Sequence, residues 1–135
     1  MSKIVVYWSM TGNTESIARK IAADVNAKLK EVSEVTFEEV LENDVIILGC
    51  PAMGSEELDE DTFKPFSDEL LTRLTSQKIF MFGSYGWGDG QWMRDWISDY
   101  KKANVNVCEE GLIVNGDDSA IEEDKYQDFI NKING

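Results

Sequence analysis

An open, doubly wound α/β sheet is the fold this sequence predicts, and three observations predict it. Short apolar runs rich in Val and Ile alternate with amphipathic helical patterns, which is how βαβ units around a buried parallel sheet read in sequence. The chain has 135 residues, the size of one domain with a substantial core, and no linker, repeat or low-complexity tract interrupts it. Its unusual residues fall just beyond predicted strands, the end of such a sheet at which ligands bind where the strand order reverses.

The first strand is Lys3–Ser9, where Ile4-Val5-Val6-Tyr7-Trp8 forms a continuous apolar run. A helix over Asn13–Leu29 follows, with Ile17, Ile21 and Val25 at i+4 intervals and Ala18 and Ala22 beside them. A weak strand pattern near Lys30–Val35 separates this helix from the apolar patch Phe37–Leu41. Asp44–Cys50 is the next strand, and Asp61–Leu74 the next long helix, with Phe63, Phe66, Leu70 and Leu74 on one face and Pro65 tolerated in its first turn. Lys78–Ser84 is a strand, Gln91–Lys102 a helix with Trp92, Trp96 and Tyr100 as its core stripe, and Val105–Val114 a less distinct strand. Ser119–Ile133 closes the chain as a helix carrying Tyr126, Phe129, Ile130 and Ile133.

Composition removes many kinds of chemistry. The chain has no His, which excludes Ser-His-Asp triads, Cys-His dyads and HExxH zinc sites. Cys50 and Cys108 have no CxxC spacing and read as small core residues. A formal charge of −13 argues against binding nucleic acid or anionic membrane and favours a basic partner. The apolar run at the start is too short for a signal peptide or a membrane span, so a cytoplasmic location is the expectation.

Ser9-Met10-Thr11-Gly12-Asn13-Thr14 is a hydroxyl-rich loop between the first strand and the first helix. Backbone N–H groups, hydroxyls and the helix dipole can hold a phosphate there without a cation, the nearest in sequence being Arg19 and Lys20. The plainer reading, in which Thr11 or Asn13 merely caps the helix, fits this loop equally well when it is taken alone. Competing glycine motifs fail. Gly86 and Gly88 lack the third glycine of GxGxxG, and Gly49 to Ser55 lacks the Walker lysine.

With the loops Gly49–Leu58 and Phe82–Gly90 added, the sequence resembles the flavodoxins, and specifically the short-chain flavodoxins of anaerobic (clostridial) bacteria, over essentially its whole length. The resemblance implies a single flavodoxin-like domain over residues 1–135, a five-stranded parallel sheet of order 2-1-3-4-5, and non-covalent flavin mononucleotide (FMN). That strand order is a known family property that the resemblance carries over. The cofactor-binding residues it implies are Ser9, Met10, Thr11, Gly12, Asn13 and Thr14 around the phosphate. Ala52, Met53, Gly54, Ser55 and Glu56 on one side of the ring, and Ser84, Tyr85, Gly86, Trp87, Gly88, Asp89 and Gly90 on the other, complete the set. Met10 departs from the glycine common in relatives. Gly54 would have a peptide that flips on reduction, Glu56 would accept from flavin N3, and Trp87 would form the outer wall.

The expected function is low-potential one-electron carriage, mainly between the semiquinone and hydroquinone of FMN, by a monomer that is not an enzyme and has no catalytic or metal-binding residue. Glu56, Glu57, Asp59, Glu60 and Asp61 bring five carboxylates beside the flavin and would disfavour the last electron, although Asp and Glu also suit an ordinary helix start. Partners would be reductases and oxidoreductases that dock transiently through basic faces. The alternatives are an FMN-dependent NAD(P)H or quinone reductase of the same fold, and a receiver domain. A receiver would carry an acceptor Asp where this chain has Gly49-Cys50-Pro51.

Overall fold

The computed structural model describes residues 2–54 and 56–135. Five parallel strands, β1 (Lys3–Tyr7), β2 (Lys28–Glu31), β3 (Val45–Gly49), β4 (Lys78–Ser84) and β5 (Leu112–Val114), form one sheet in the order β2-β1-β3-β4-β5. The helices are α1 (Asn13–Val25), α2 (Phe37–Leu41), α3 (Phe63–Arg73), α4 (Gln91–Lys102) and α5 (Glu123–Asn134). Alternating strand residues feed two cores. Val5, Val45, Ile47, Phe80 and Phe82 pack with α1 and α5, while Ile4, Val6, Ile46, Leu48 and Met81 pack with α3 and α4. Both faces are therefore buried, and the central strands read as unbroken apolar runs rather than alternating ones. The reversal of strand order places β1 and β3 side by side, with Tyr7 opposite Gly49 at their carboxyl ends.

Departures from the expected boundaries have local causes. α1 stops four residues short of Leu29 because Asn26 adopts φ 57° and ψ 53° and donates its N–H to Ala22. The chain is thereby freed for β2, which starts two residues earlier than the Lys30–Val35 pattern and gives way to a 3₁₀ turn over Val32–Glu34. β5 keeps only the last three residues of the Val105–Val114 pattern, and Val107 contributes a single bridge to Ile79. Ser119 lies in a 3₁₀ turn whose N-cap is Asp117, so α5 begins at Glu123. α3 starts at Phe63 because Asp59 Oδ2 accepts from the N–H groups of Thr62 (2.8 Å) and Phe63 (2.9 Å). Among the described residues no helix is long and apolar enough to cross a membrane.

Packing between α3 and α4 is joined by a buried polar knot. Trp96 Nε1 donates to Ser67 Oγ (3.0 Å), and Tyr100 Oη donates to the Ser67 carbonyl (2.9 Å). Cys50, the residue after β3, is fully buried, and Cys108 is half-buried against the α1 and α5 core. Burial pushes the Cys50 thiol up to about 12 from its ordinary value near 9. The folded state thus favours the protonated thiol, while the unfolded chain loses that proton first. The stability this gives is complete below pH about 9 and is lost as pH rises toward about 12, at no more than about 1.4 kcal/mol per unit. Tyr100, also raised by burial, adds to the decline only above its ordinary value of 10.0. Urea unfolding of Cys50→Ala between pH 9 and 10 is expected to show a clearly shallower loss of stability than the parent protein.

Candidate functional site

Three loops leave the carboxyl ends of β1, β3 and β4 and are stitched into one rim. Trp8 N–H donates to the Gly49 carbonyl (3.0 Å), and Ala52 N–H donates to the Ser84 carbonyl (2.9 Å). Thr14 Oγ1 lies 2.7 Å from Ser84 Oγ, with both residues buried. The Thr14 hydroxyl, expected among the phosphate donors, thus ties the first loop to the end of β4, and Ser84 meets that hydroxyl from the other side.

The first loop is built to receive an anion. Ser9 Oγ accepts from the N–H groups of Gly12 (3.1 Å) and Glu15 (3.3 Å), which curls the loop around the start of α1 and leaves the hydroxyl proton available. Gly12 is the N-cap at φ 95°, has no side-chain cap, and has nothing within 4 Å of the position a Cβ would take. The N–H groups of Met10, Thr11, Asn13 and Thr14 have no acceptor among the described residues, so the helix start is uncapped and rich in donors. Neither neighbouring cation turns to it. Arg19 pairs with Glu15 (2.7 Å), and Lys20 pairs with Asp24 (3.6 Å) while lying over the Tyr126 ring.

The second loop is a tight turn closed by Met53 and Glu57, whose backbones exchange hydrogen bonds of 2.8 and 3.0 Å. Gly54 takes φ 43° with open space in front of it, and Glu56 takes φ 58°. Ser55 lies outside the described residues. The third loop exposes Trp87, 65 % accessible, between Gly86 and Gly88. With Met10 at 66 %, it is one of two large apolar side chains exposed among the described residues, and both lie on this rim. Tyr85 turns inward and packs on Trp92, at 5.7 Å between ring centroids. Trp92 and Trp96 are core residues, as their helical spacing indicates. Asp89 pairs with Arg94 (2.9 Å), and Gly90 is the N-cap of α4 at φ 93°.

The five carboxylates that follow Ser55 are not five free charges. Asp59 is turned inward as the cap of α3, and the Glu56 carboxylate is held at the start of α4. Glu57 and Glu60 lie together: the protonated Glu60 carboxyl donates to the Glu57 carboxylate, and this bond, then the charge of Glu57, holds it above its ordinary range. Two of the five are thus engaged by helix starts, and Glu57, Glu60 and Asp61 are the exposed carboxylates of this segment.

These features fit a phosphorylated, planar cofactor: a donor-rich cradle without a cation, a pliable turn at Gly54, and a tryptophan with its face unoccupied. A doubly wound sheet with such a rim at its switch point defines a binding protein for a ligand of that kind. The flavodoxin family profile matches residues 5–129. The flavodoxin of Clostridium beijerinckii is 44 % identical over 89 % of this chain and 91 % of its own length. That of Megasphaera elsdenii is 43 % identical over 87 % and 90 %. The solution structure of two-electron reduced Megasphaera elsdenii flavodoxin superposes with a TM-score of 0.84 at 38 % identity, covering 96 % of this chain and 98 % of that one. The chain belongs to the flavodoxin family, whose members are electron-transfer proteins and not enzymes, bind FMN and pass electrons to redox partners.

Proposed function

We propose that the whole of residues 1–135 acts as one FMN-binding unit, with Ser9–Thr14 on the phosphate and the loops Ala52–Glu56 and Ser84–Gly90 flanking the ring. The observation that carries this reading is the uncapped start of α1. The N–H groups of Asn13 and Thr14 and the Ser9 hydroxyl proton have no acceptor among the described residues, and the open space at Gly12 admits a phosphate against the backbone. Bound FMN supplies reversible one-electron chemistry, which no side chain of this protein can. The protein's part is electrostatic and steric. Trp87 covers one face of the ring and excludes water, and the carbonyl of Gly54 would turn toward a protonated ring nitrogen, a move eased by a glycine with nothing within 4 Å of the place its Cβ would take. The charges of Glu57, Glu60 and Asp61 oppose the build-up of negative charge on the ring and keep the reduced protein a strong donor.

Basic docking faces on the partners follow from the same charges. Beside the rim lies a cleft of about 240 Å³, in which Glu57, Glu60, Asp95 and Asp99 surround a floor of Trp92 and Trp96. Lys64, the cation of this cleft, pairs with Asp68 at 3.0 Å. An acidic rim over an apolar floor suits a Lys or Arg side chain brought in by a partner.

Stepwise dithionite reduction of the FMN-loaded protein, followed by visible absorbance, tests the carrier reading. Two separated one-electron steps are expected, and a single two-electron step would refute it. The docking reading is tested by the rate at which the reduced protein passes electrons to a small basic haem protein. That rate is expected to fall on the order of tenfold between about 20 and about 500 mM salt, and a salt-independent rate would rule out charge-guided docking.

A further inference from the structure

We infer that Glu56 has a second task, performed before any cofactor arrives: its carboxylate is the missing cap of α4, and it fastens the turn after β3 to the loop after β4. The N-cap of α4 is Gly90, a residue with no side chain to cap the helix. The cap comes instead from 34 residues upstream. Oε1 of Glu56 accepts from the N–H of Gly90 at 3.1 Å and from the N–H of Gln91 at 3.2 Å. A carboxylate on two orphan amides at the positive end of a 12-residue helix is a charge-assisted contact.

Two backbone features accommodate this tie. Glu56 stands at φ 58°, a left-handed conformation that a residue with a Cβ enters against steric resistance. That conformation ends the turn begun at Gly54 and carries the side chain across to α4. On the receiving side, a Cβ at Gly88 would come within 2.4 Å of Glu56 Cδ and Oε1. The glycine at 88 thus makes room for a carboxylate of the protein itself, a role distinct from close approach to a ring.

Both walls of the proposed ring slot are then linked through one side chain, and their separation is set in the flavin-free protein. Oε2 has no partner among the described residues. For its last step the inference rests on the cofactor reading: the free oxygen would accept from a ring N–H of bound flavin, so that one carboxylate both shapes the slot and meets its occupant. Glu56 is by this account a positioning residue as well as a cofactor contact.

Amide hydrogen exchange of the full-length protein, as purified with FMN and again after flavin removal, separates the two roles. In flavin-free Glu56→Ala, the Gly90 and Gln91 amides are expected to exchange about tenfold faster or more, and the Tm to fall by about 5 °C. Glu56→Gln keeps an acceptor oxygen and is expected to restore most of that protection, while still binding FMN more weakly than the parent because its amide no longer offers a carboxylate to the ring. Gly88→Ala, which pushes the carboxylate away, is expected to expose the same two amides. Unchanged exchange in Glu56→Ala, or equal exposure in the Ala and Gln variants, would overturn the tie. Should flavin-free Glu56→Ala not fold, the same amides are compared in the FMN-loaded variants, with the same outcomes deciding. FMN affinity unaffected by either substitution would count against the cofactor contact alone, leaving the exchange result to stand or fall by itself.

Discussion

Gly83→Ala is expected to be the most destabilising single methyl group that can be added to this protein, lowering stability by about 3–5 kcal/mol and Tm by about 10–15 °C. A Cβ there would lie 2.2 Å from the Cys50 carbonyl oxygen and 3.0 Å from Trp92 Cζ2. Neither neighbour is able to yield without loss. The Cys50 carbonyl accepts from Trp92 Nε1 at 3.3 Å, so displacing either partner strands a buried indole N–H or a buried carbonyl. Cys50 N–H is also held by the Phe82 carbonyl at 3.2 Å, which pins the residue from the strand side. Thermal melts of the parent and Gly83→Ala proteins, each loaded with FMN, measure the effect. A shift of less than about 3 °C would mean that the β3 and β4 ends have more room than their contacts imply.

The consequence is functional as well as structural, because Gly83 adjoins Ser84, whose carbonyl and hydroxyl hold the second and first loops. Gly49, whose Cβ would strike the fully buried Phe82 ring at 2.1 Å, opposes a side chain rather than backbone. Overpacking against backbone is the harsher case, since a strand end that carries three loops cannot move one of them alone.

Much of this architecture was legible in the sequence because burial on both faces leaves an unmistakable mark. Val45-Ile46-Ile47-Leu48 and Ile79-Phe80-Met81-Phe82 are apolar without alternation, and α4 was readable to its ends from Trp92, Trp96 and Tyr100. β2 was blurred for the opposite reason. As an edge strand of Lys-Leu-Lys-Glu it buries little, so its place is fixed by pairing with β1 and by the left-handed Asn26, neither of which a hydropathy pattern records. β5 was over-extended because Val105 is apolar for packing and Val107 pairs only through one isolated bridge.

At the site, residue types were legible and their partners were not. Ser9, Gly12 and Trp87 stand where the spacing puts them. The engagements of Thr14 with Ser84 and of Glu56 with the α4 start join residues 70 and 34 positions apart. Such pairings depend on strand order, and a run of acidic residues read along the chain gives no sign of which carboxylates will be turned inward. The one available signal was the glycine at the head of α4, which leaves a helix start with nothing local to cap it.

Ser9→Ala is expected to weaken FMN binding about 30- to 100-fold while leaving riboflavin binding within about threefold of the parent. Ser9 contributes twice. Its oxygen gathers the N–H groups of Gly12 and Glu15, and its proton is left to donate to an anion in the curl those amides define. Alanine removes a charge-assisted donor and, at the same stroke, releases the loop that aims the remaining N–H groups. A dianionic phosphate held only by dipoles has no nearby Lys or Arg to soften that loss, because Arg19 and Lys20 are committed to Glu15 and Asp24. Riboflavin has the same ring but no phosphate, so it reports on the Trp87 side of the site and serves as the internal control. Fluorescence titration of the flavin-free parent and Ser9→Ala proteins with both ligands gives the four dissociation constants. Equal losses for FMN and riboflavin would place Ser9 in the general upkeep of the fold and would remove the cation-free cradle as the source of phosphate affinity.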